Sequence, residues 1–200
     1  DSIVDGEGLR AVVWTQGCPH SCPGCHNPQT HAFDGGTLML TETIADQLKA
    51  YLLDSGVESA MINLGGNVLC VGSRPDGTPF TVGLQKPFAD RNETFAQVEV
   101  SDLSVVASGV YERHFVEDGK NYHHILDPST GYPYDNGLIS VTILSERSVD
   151  GDALSTTCFS LGLEKGLELA NSLDGIYACF IDEDYNVYYS DGMEDFIIKQ

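Results

Sequence analysis

Two adjacent imidazoles, His123 and His124, head a stretch from Tyr122 to Thr156 in which reactive side chains crowd together. The apolar pair Ile125-Leu126 runs into Asp127-Pro128-Ser129-Thr130-Gly131, where Pro and Gly demand a turn. A β-like run, Leu138 to Leu144, then leads to Asp150-Gly151-Asp152-Ala153-Leu154-Ser155-Thr156. Asp152 and Thr156 are four apart, so a helix beginning here sets a carboxylate and a hydroxyl on one face. An all-oxygen pair of that kind suits a hard cation such as magnesium. Standing alone, Asp152 would serve as well as the N-cap of an apolar helix, and Asp127 to Gly131 as a plain turn. Neighbours on a strand face opposite ways, so only one of His123 and His124 can enter a site, and the other is structural.

A second concentration lies near the start, in Gly17-Cys18-Pro19-His20-Ser21-Cys22-Pro23-Gly24-Cys25-His26-Asn27-Pro28. Cys18, Cys22 and Cys25 are spaced C-x3-C-x2-C in a loop bent by Pro and Gly. Three thiolates at these separations can hold three irons of a four-iron four-sulfur cluster and leave the fourth open, as binding of S-adenosylmethionine requires. A structural zinc site using the same thiolates with His20 or His26 is the other reading. Cys70, Cys158 and Cys179 each sit alone in apolar surroundings and read as small core residues.

The elements that must position these groups follow from patterning. Ala11 to Trp14 is a short strand; Thr41 reads as an N-cap, and Ile44, Leu48, Tyr51 and Leu52 recur at helical spacing until Gly56. Strands are expected at Val57 to Leu64 and Val68 to Val71 around the tight turn Gly65-Gly66-Asn67, and again at Thr81 to Leu84. More follow at Gln97 to Val100, Ser104 to Ala107, Val110 to Val116 and Tyr122 to Leu126, with Glu117-Asp118-Gly119-Lys120 as a hairpin turn. Helical periodicity returns at Asp152 to Leu161 and Glu164 to Leu173; Ile176 to Ile181, Val187 to Tyr189 and Phe196 to Ile198 complete the strands. Hairpin spacing throughout predicts an α+β fold, an antiparallel sheet with helices on one side, and not the parallel strand-helix series of a barrel enzyme.

Composition narrows the partners. Ten Lys and Arg against thirty Asp and Glu give a formal charge of −20, from which no basic patch for nucleic acid or an anionic membrane surface can be assembled. Two hundred residues suit one domain plus a short extra piece. No apolar run approaches the length of a membrane span, no signal peptide pattern is expected, and the compartment is left open.

Two resemblances emerge from these motifs. Residues 1 to about 36, with Asp5-Gly6-Glu7-Gly8-Leu9-Arg10, the cysteine loop and Cys25-His26-Asn27-Pro28-Gln29-Thr30-His31, resemble the start of a radical S-adenosylmethionine enzyme, the activating protein of anaerobic ribonucleotide reductase. From about Ile44 onward the chain resembles the FAD:protein FMN transferase family, the ApbE-type flavin-trafficking proteins. The matching residues are Ile62-Asn63-Leu64-Gly65-Gly66-Asn67, Ser108-Gly109, Tyr111-Glu112-Arg113, Tyr122 to Pro133 and Asp150 to Thr156.

The second resemblance implies cleavage of FAD, transfer of FMN to a Ser or Thr hydroxyl of an acceptor protein, and release of AMP. It also implies magnesium on Asp152 and Thr156, and His124 as the catalytic histidine immediately before the Ile-Leu-Asp-Pro run. Asn63, Gly65, Gly66, Asn67, Ser108, Gly109, Asp127 and Gly131 would meet the nucleotide. The expected organisation is a cysteine segment, 1–40, followed by a transferase-like domain, 41–200, in which the family's N-terminal, flavin-contacting portion has no counterpart. Family members are often exported and membrane-anchored. A radical enzyme and a flavin-binding fragment without turnover are the competing functions.

Overall fold

Leu138–Ser145 is buried along its whole length. A strand alternates its side chains between two faces, so both faces of the sheet that holds it must be covered. The computed structural model describes residues 17, 28, 31–37, 41–90 and 93–198. The cysteine loop with Cys18, Cys22 and Cys25, and the strand expected at 11–14, lie outside these residues. The chain divides into two units, Asp1–Leu40 and Thr41–Gln200. In the first, the Phe33 ring packs on Gly17, where a Cβ would stand 2.9 Å from the ring.

The second unit opens with helix α1 (Thr41–Asp54) and continues through β1 (Ser59–Leu64), β2 (Asn67–Gly72), β3 (Phe80–Gln85), β4 (Thr94–Val100), β5 (Ser104–Gly109), β6 (His114–Glu117), β7 (Lys120–His123) and β8 (Leu138–Ser145). It closes with α2 (Ser148–Leu161), α3 (Leu163–Asn171), β9 (Tyr177–Asp182), β10 (Val187–Tyr189) and a 3-10 turn, Met193–Phe196. Six strands form one antiparallel sheet in the order β1-β2-β5-β8-β9-β10, while β3-β4 and β6-β7 are separate hairpins.

The two faces of the main sheet bury different partners. Val141 and Ile143 of β8 and Ala178 and Phe180 of β9 meet Cys158 and Phe159 of α2 and Ala170 of α3. Ile62, Leu69 and Val71 meet Ala45 and Leu48 of α1 on the same side. The alternate residues Val68, Cys70, Val105, Leu144 and Cys179 pack instead on Val82, Leu84, Val98 and Val100 of the β3-β4 hairpin. Burying each such aliphatic side chain stabilises the fold by roughly 1.5–3 kcal/mol. The expected α+β architecture with helices on one side is therefore present, and a small second sheet covers the opposite face.

Four local expectations are corrected. Tyr122 to Leu126 is not one strand: β7 ends at His123, His124 lies in a bend, and Leu126 makes an isolated bridge to Pro133. Val110 to Val116 is not one strand: β5 ends at Gly109, a turn follows, and β6 starts at His114. Phe196 to Ile198 is not a strand; Ile197 makes an isolated bridge to Val98 after the 3-10 turn. Helix α2 begins at Ser148 and not at Asp152, because Gly151 lies inside it. A Cβ on Gly151 would stand 2.8 Å from Val106 Cγ2 and 2.9 Å from Ser145 Oγ, so the bare glycine is what lets α2 lie against β5 and β8.

Candidate active site

A cleft of about 460 Å³ opens where the β1-β2 turn, β3, the end of β5, the segments that flank the β6-β7 hairpin and the first half of α2 converge. Gly65 and Gly66 form the two-residue connection between β1 and β2, with φ of 68° and 103°. Such a pair of left-handed residues matches the twist of a tight hairpin and admits glycine at least strain. Gly66 N–H donates to Asn63 Oδ1 at 3.1 Å, which ties the turn to the strand below it. Across the cleft, Asp152 and Thr156 project from α2 one turn apart, both exposed. Their position inside the helix, and not at its first residue, leaves the Asp152 carboxylate on the cleft face.

Ser108, at the end of β5, supports the same wall. Its hydroxyl lies 3.1 Å from Thr156 Oγ1 and 2.9 Å from Ser155 Oγ. Ser155 is buried and donates to the Asp152 carbonyl at 3.1 Å. The hydroxyls are thus fixed from beneath by a residue that the sequence shows only as one more helical serine. Gly109 is required by closeness: a Cβ there would run into the Tyr111 ring. That ring lines the cleft, and burial foremost, with the Glu112 charge beside it, raises the Tyr111 phenol above its ordinary range.

His123 is the last residue of β7 and His124 lies in the bend that follows, and their side chains have different surroundings. His123 is buried: its Nε2–H donates to the Tyr134 carbonyl at 3.0 Å, its Nδ1 accepts from Ile125 N–H at 3.3 Å, and its ring meets Phe159 edge-on. Burial, the largest influence, lowers its pKa against the opposing pull of the Tyr134 carbonyl. His124 is exposed and lines the cleft. Its Nδ1 lies 3.3 Å from the Arg113 carbonyl, and its backbone N–H donates to the same oxygen at 3.2 Å. A carbonyl can only accept, so the proton sits on Nδ1 and leaves Nε2 of the neutral ring bare.

Asn63, Gly65, Gly66, Ser108, Gly109, His124, Asp152 and Thr156 therefore share one cleft, and three other expected residues do not line it. Asn67 is buried below the turn, where its Oδ1 accepts from Ser148 Oγ at 2.7 Å and anchors the start of α2. Asp127 shapes the loop after His124, accepting at Oδ1 from Ser129 N–H at 2.8 Å and Ser129 Oγ–H at 2.7 Å; these bonds hold its carboxyl below the usual range. Gly131 closes the loop by donating to the Asp127 carbonyl at 2.8 Å, with φ of 74°.

No group of three or more His, Cys, Asp and Glu side chains is placed to hold a metal among the described residues. Asp152, Thr156 and Ser108 nevertheless offer an all-oxygen donor set, and a magnesium ion needs only one or two protein carboxylates when waters and phosphates fill its other positions. The residues fit that ion and not a softer one.

The chain resembles proteins of known class over this region. The ApbE family model matches residues 39–181. A FAD:protein FMN transferase of Klebsiella pneumoniae is 46% identical over 147 residues, 74% of this chain and 45% of the relative. One from Treponema pallidum is 39% identical over 160 residues, 76% of this chain and 44% of the relative. The crystal structure of the ApbE protein of Thermotoga maritima superposes with a TM-score of 0.69 at 32% identity, covering 77% of this chain and 50% of that one. The chain spans about half the length of these relatives. By this match over most of its length, the chain belongs to the ApbE family.

Proposed function

We propose that this cleft binds FAD and transfers its FMN moiety to a hydroxyl of an acceptor protein, a Ser or Thr, releasing AMP. One observation carries the reading: an imidazole with a bare Nε2, His124, shares a cleft with the paired oxygen ligands Asp152 and Thr156. The Nε2 takes the proton of the acceptor hydroxyl as its oxygen bonds to the FMN-side phosphorus; the bond from that phosphorus to the bridging oxygen breaks, and AMP leaves with the oxygen. Asp152 and Thr156, steadied by Ser108 and Ser155, would hold magnesium, which supplies charge neutralisation on the phosphates. The turn at Gly65-Gly66, where an added Cβ would meet nothing within 4 Å, leaves space for the nucleotide against the backbone.

The test is incubation of the chain with FAD, magnesium and a candidate acceptor, followed by assay of AMP and the intact mass of the acceptor. Equimolar AMP and an acceptor heavier by one FMN are expected. Retention of FAD without AMP would overturn the transfer reading in favour of a binding fragment.

A further inference from the structure

Arg113 is the one permanently charged cation among the residues lining the cleft, where it stands with two carboxylates, Glu112 and Asp152. Its side chain is exposed and forms no ion pair among the described residues, although thirty acidic residues are available to ten basic ones. Backbone bonding fixes its place. The β6-β7 ladder ends at the pair His114 and His123, and just beyond it His124 N–H and Nδ1 both meet the Arg113 carbonyl, at 3.2 and 3.3 Å. Arg113 and His124 are thereby held next to one another on the wall of the cleft that Asp152 and Thr156 also line.

We propose that Arg113 is the phosphate-gripping residue of this cleft, its guanidinium forking onto non-bridging oxygens of the phosphate that the acceptor hydroxyl attacks. The proposal rests on the FMN-transfer reading for the identity of that phosphate, but the gripping itself concerns any pyrophosphate. A planar guanidinium matches two phosphate oxygens at once, which an ammonium cannot. The residue then has two separable duties: its carbonyl holds His124 in the Nδ1–H tautomer, and its side chain holds the group that His124 serves. Substitution of the side chain leaves the carbonyl in place.

Calorimetric titration with inorganic pyrophosphate in magnesium buffer tests this on the whole chain. Arg113→Gln is expected to weaken pyrophosphate binding about 10- to 100-fold, the range of a charge-assisted hydrogen-bonded pair. Arg113→Lys should recover only part of it, and Lys165→Gln, which removes an exposed cation on α3, should change nothing. Thermal unfolding of each variant separates lost binding from lost folding, and Arg113→Met, which keeps an apolar stem, repeats the measurement should Arg113→Gln unfold. Equal pyrophosphate affinity in parent and variant, or no pyrophosphate binding by the parent, would overturn the proposal. Loss of pyrophosphate binding in the variant, in a parent that releases no AMP from FAD, would uphold the grip and reject the transfer reading.

Discussion

His123 and His124 differ in the partner that each Nδ1 meets, and that difference sets their roles. The His123 Nδ1 already accepts from a backbone N–H, so a second proton there would face a donor in a buried place. Its folded pKa lies below the ordinary value of about 6.5, the unfolded chain therefore binds the proton more readily, and stability present above that pH is lost as the pH falls through it. Urea unfolding of the parent should show a falling midpoint between pH 7.5 and 5.5, and His123→Gln should lower the midpoint at pH 7.5 while flattening that slope. His124→Ala, by contrast, should leave the midpoint within roughly 0.5 kcal/mol and reduce transfer about 10²- to 10⁴-fold, as expected for removal of a positioned base. Asp152→Asn belongs with it: exposed on α2, it should unfold like the parent while the magnesium dependence of turnover weakens sharply. Unchanged magnesium dependence in that variant would remove Asp152 from the metal site.

At the scale of elements, what patterning could see was periodicity, and what it missed was closeness. The strand expected at Tyr122 to Leu126 stops at His123, so the two imidazoles part at a bend and not by alternation, whereas the four-residue spacing of Asp152 and Thr156 correctly implied one helical face. The start of α2 was misplaced because Asp150-Gly151 has the composition of a turn, whereas the glycine is there to let the helix touch Val106 and Ser145. Tertiary crowding of that kind leaves no mark in a single sequence. Gly151→Ala should therefore cost about 1–3 kcal/mol in urea unfolding, the range for overpacking, although alanine is the better helix former. Arg113 carried no expected role, since its link to the site is the bonding of His124 to its backbone carbonyl, which side-chain patterning does not show. Asp127 and Gly131 were assigned to the nucleotide, yet their bonds are spent on the loop. A turn motif and a ligand motif draw on the same residue types.

Across the whole molecule, the central strands are covered by helices on one face and by the β3-β4 hairpin on the other, and this layering decides which cysteines can react. Cys70, Cys158 and Cys179 are buried free thiols. Burial pushes their pKa values up, to about 11 for Cys70 and Cys158 and about 12 for Cys179, so almost no thiolate exists at pH 8. Alkylation with iodoacetamide, mapped by mass spectrometry, should label these three only when denaturant is added. Labelling of any of them in the native chain at a rate near that of a free thiol would show that the layers part locally. The fold class was legible because hairpin spacing dominates the second unit, while the hairpin that covers the far face was not, since β3 and β4 read like any other pair of strands.

The two imidazoles at the end of β7 also set a limit on what lengths this segment can have. One residue inserted between His123, held against Phe159, and His124, at the cleft, would put the inserted side chain in the place that His124 now takes. Descent from a common ancestor should therefore leave substitutions scattered through Lys120 to Pro133 but gaps only at its ends, and a library of single-codon insertions across it should yield folded chains far more often than active ones.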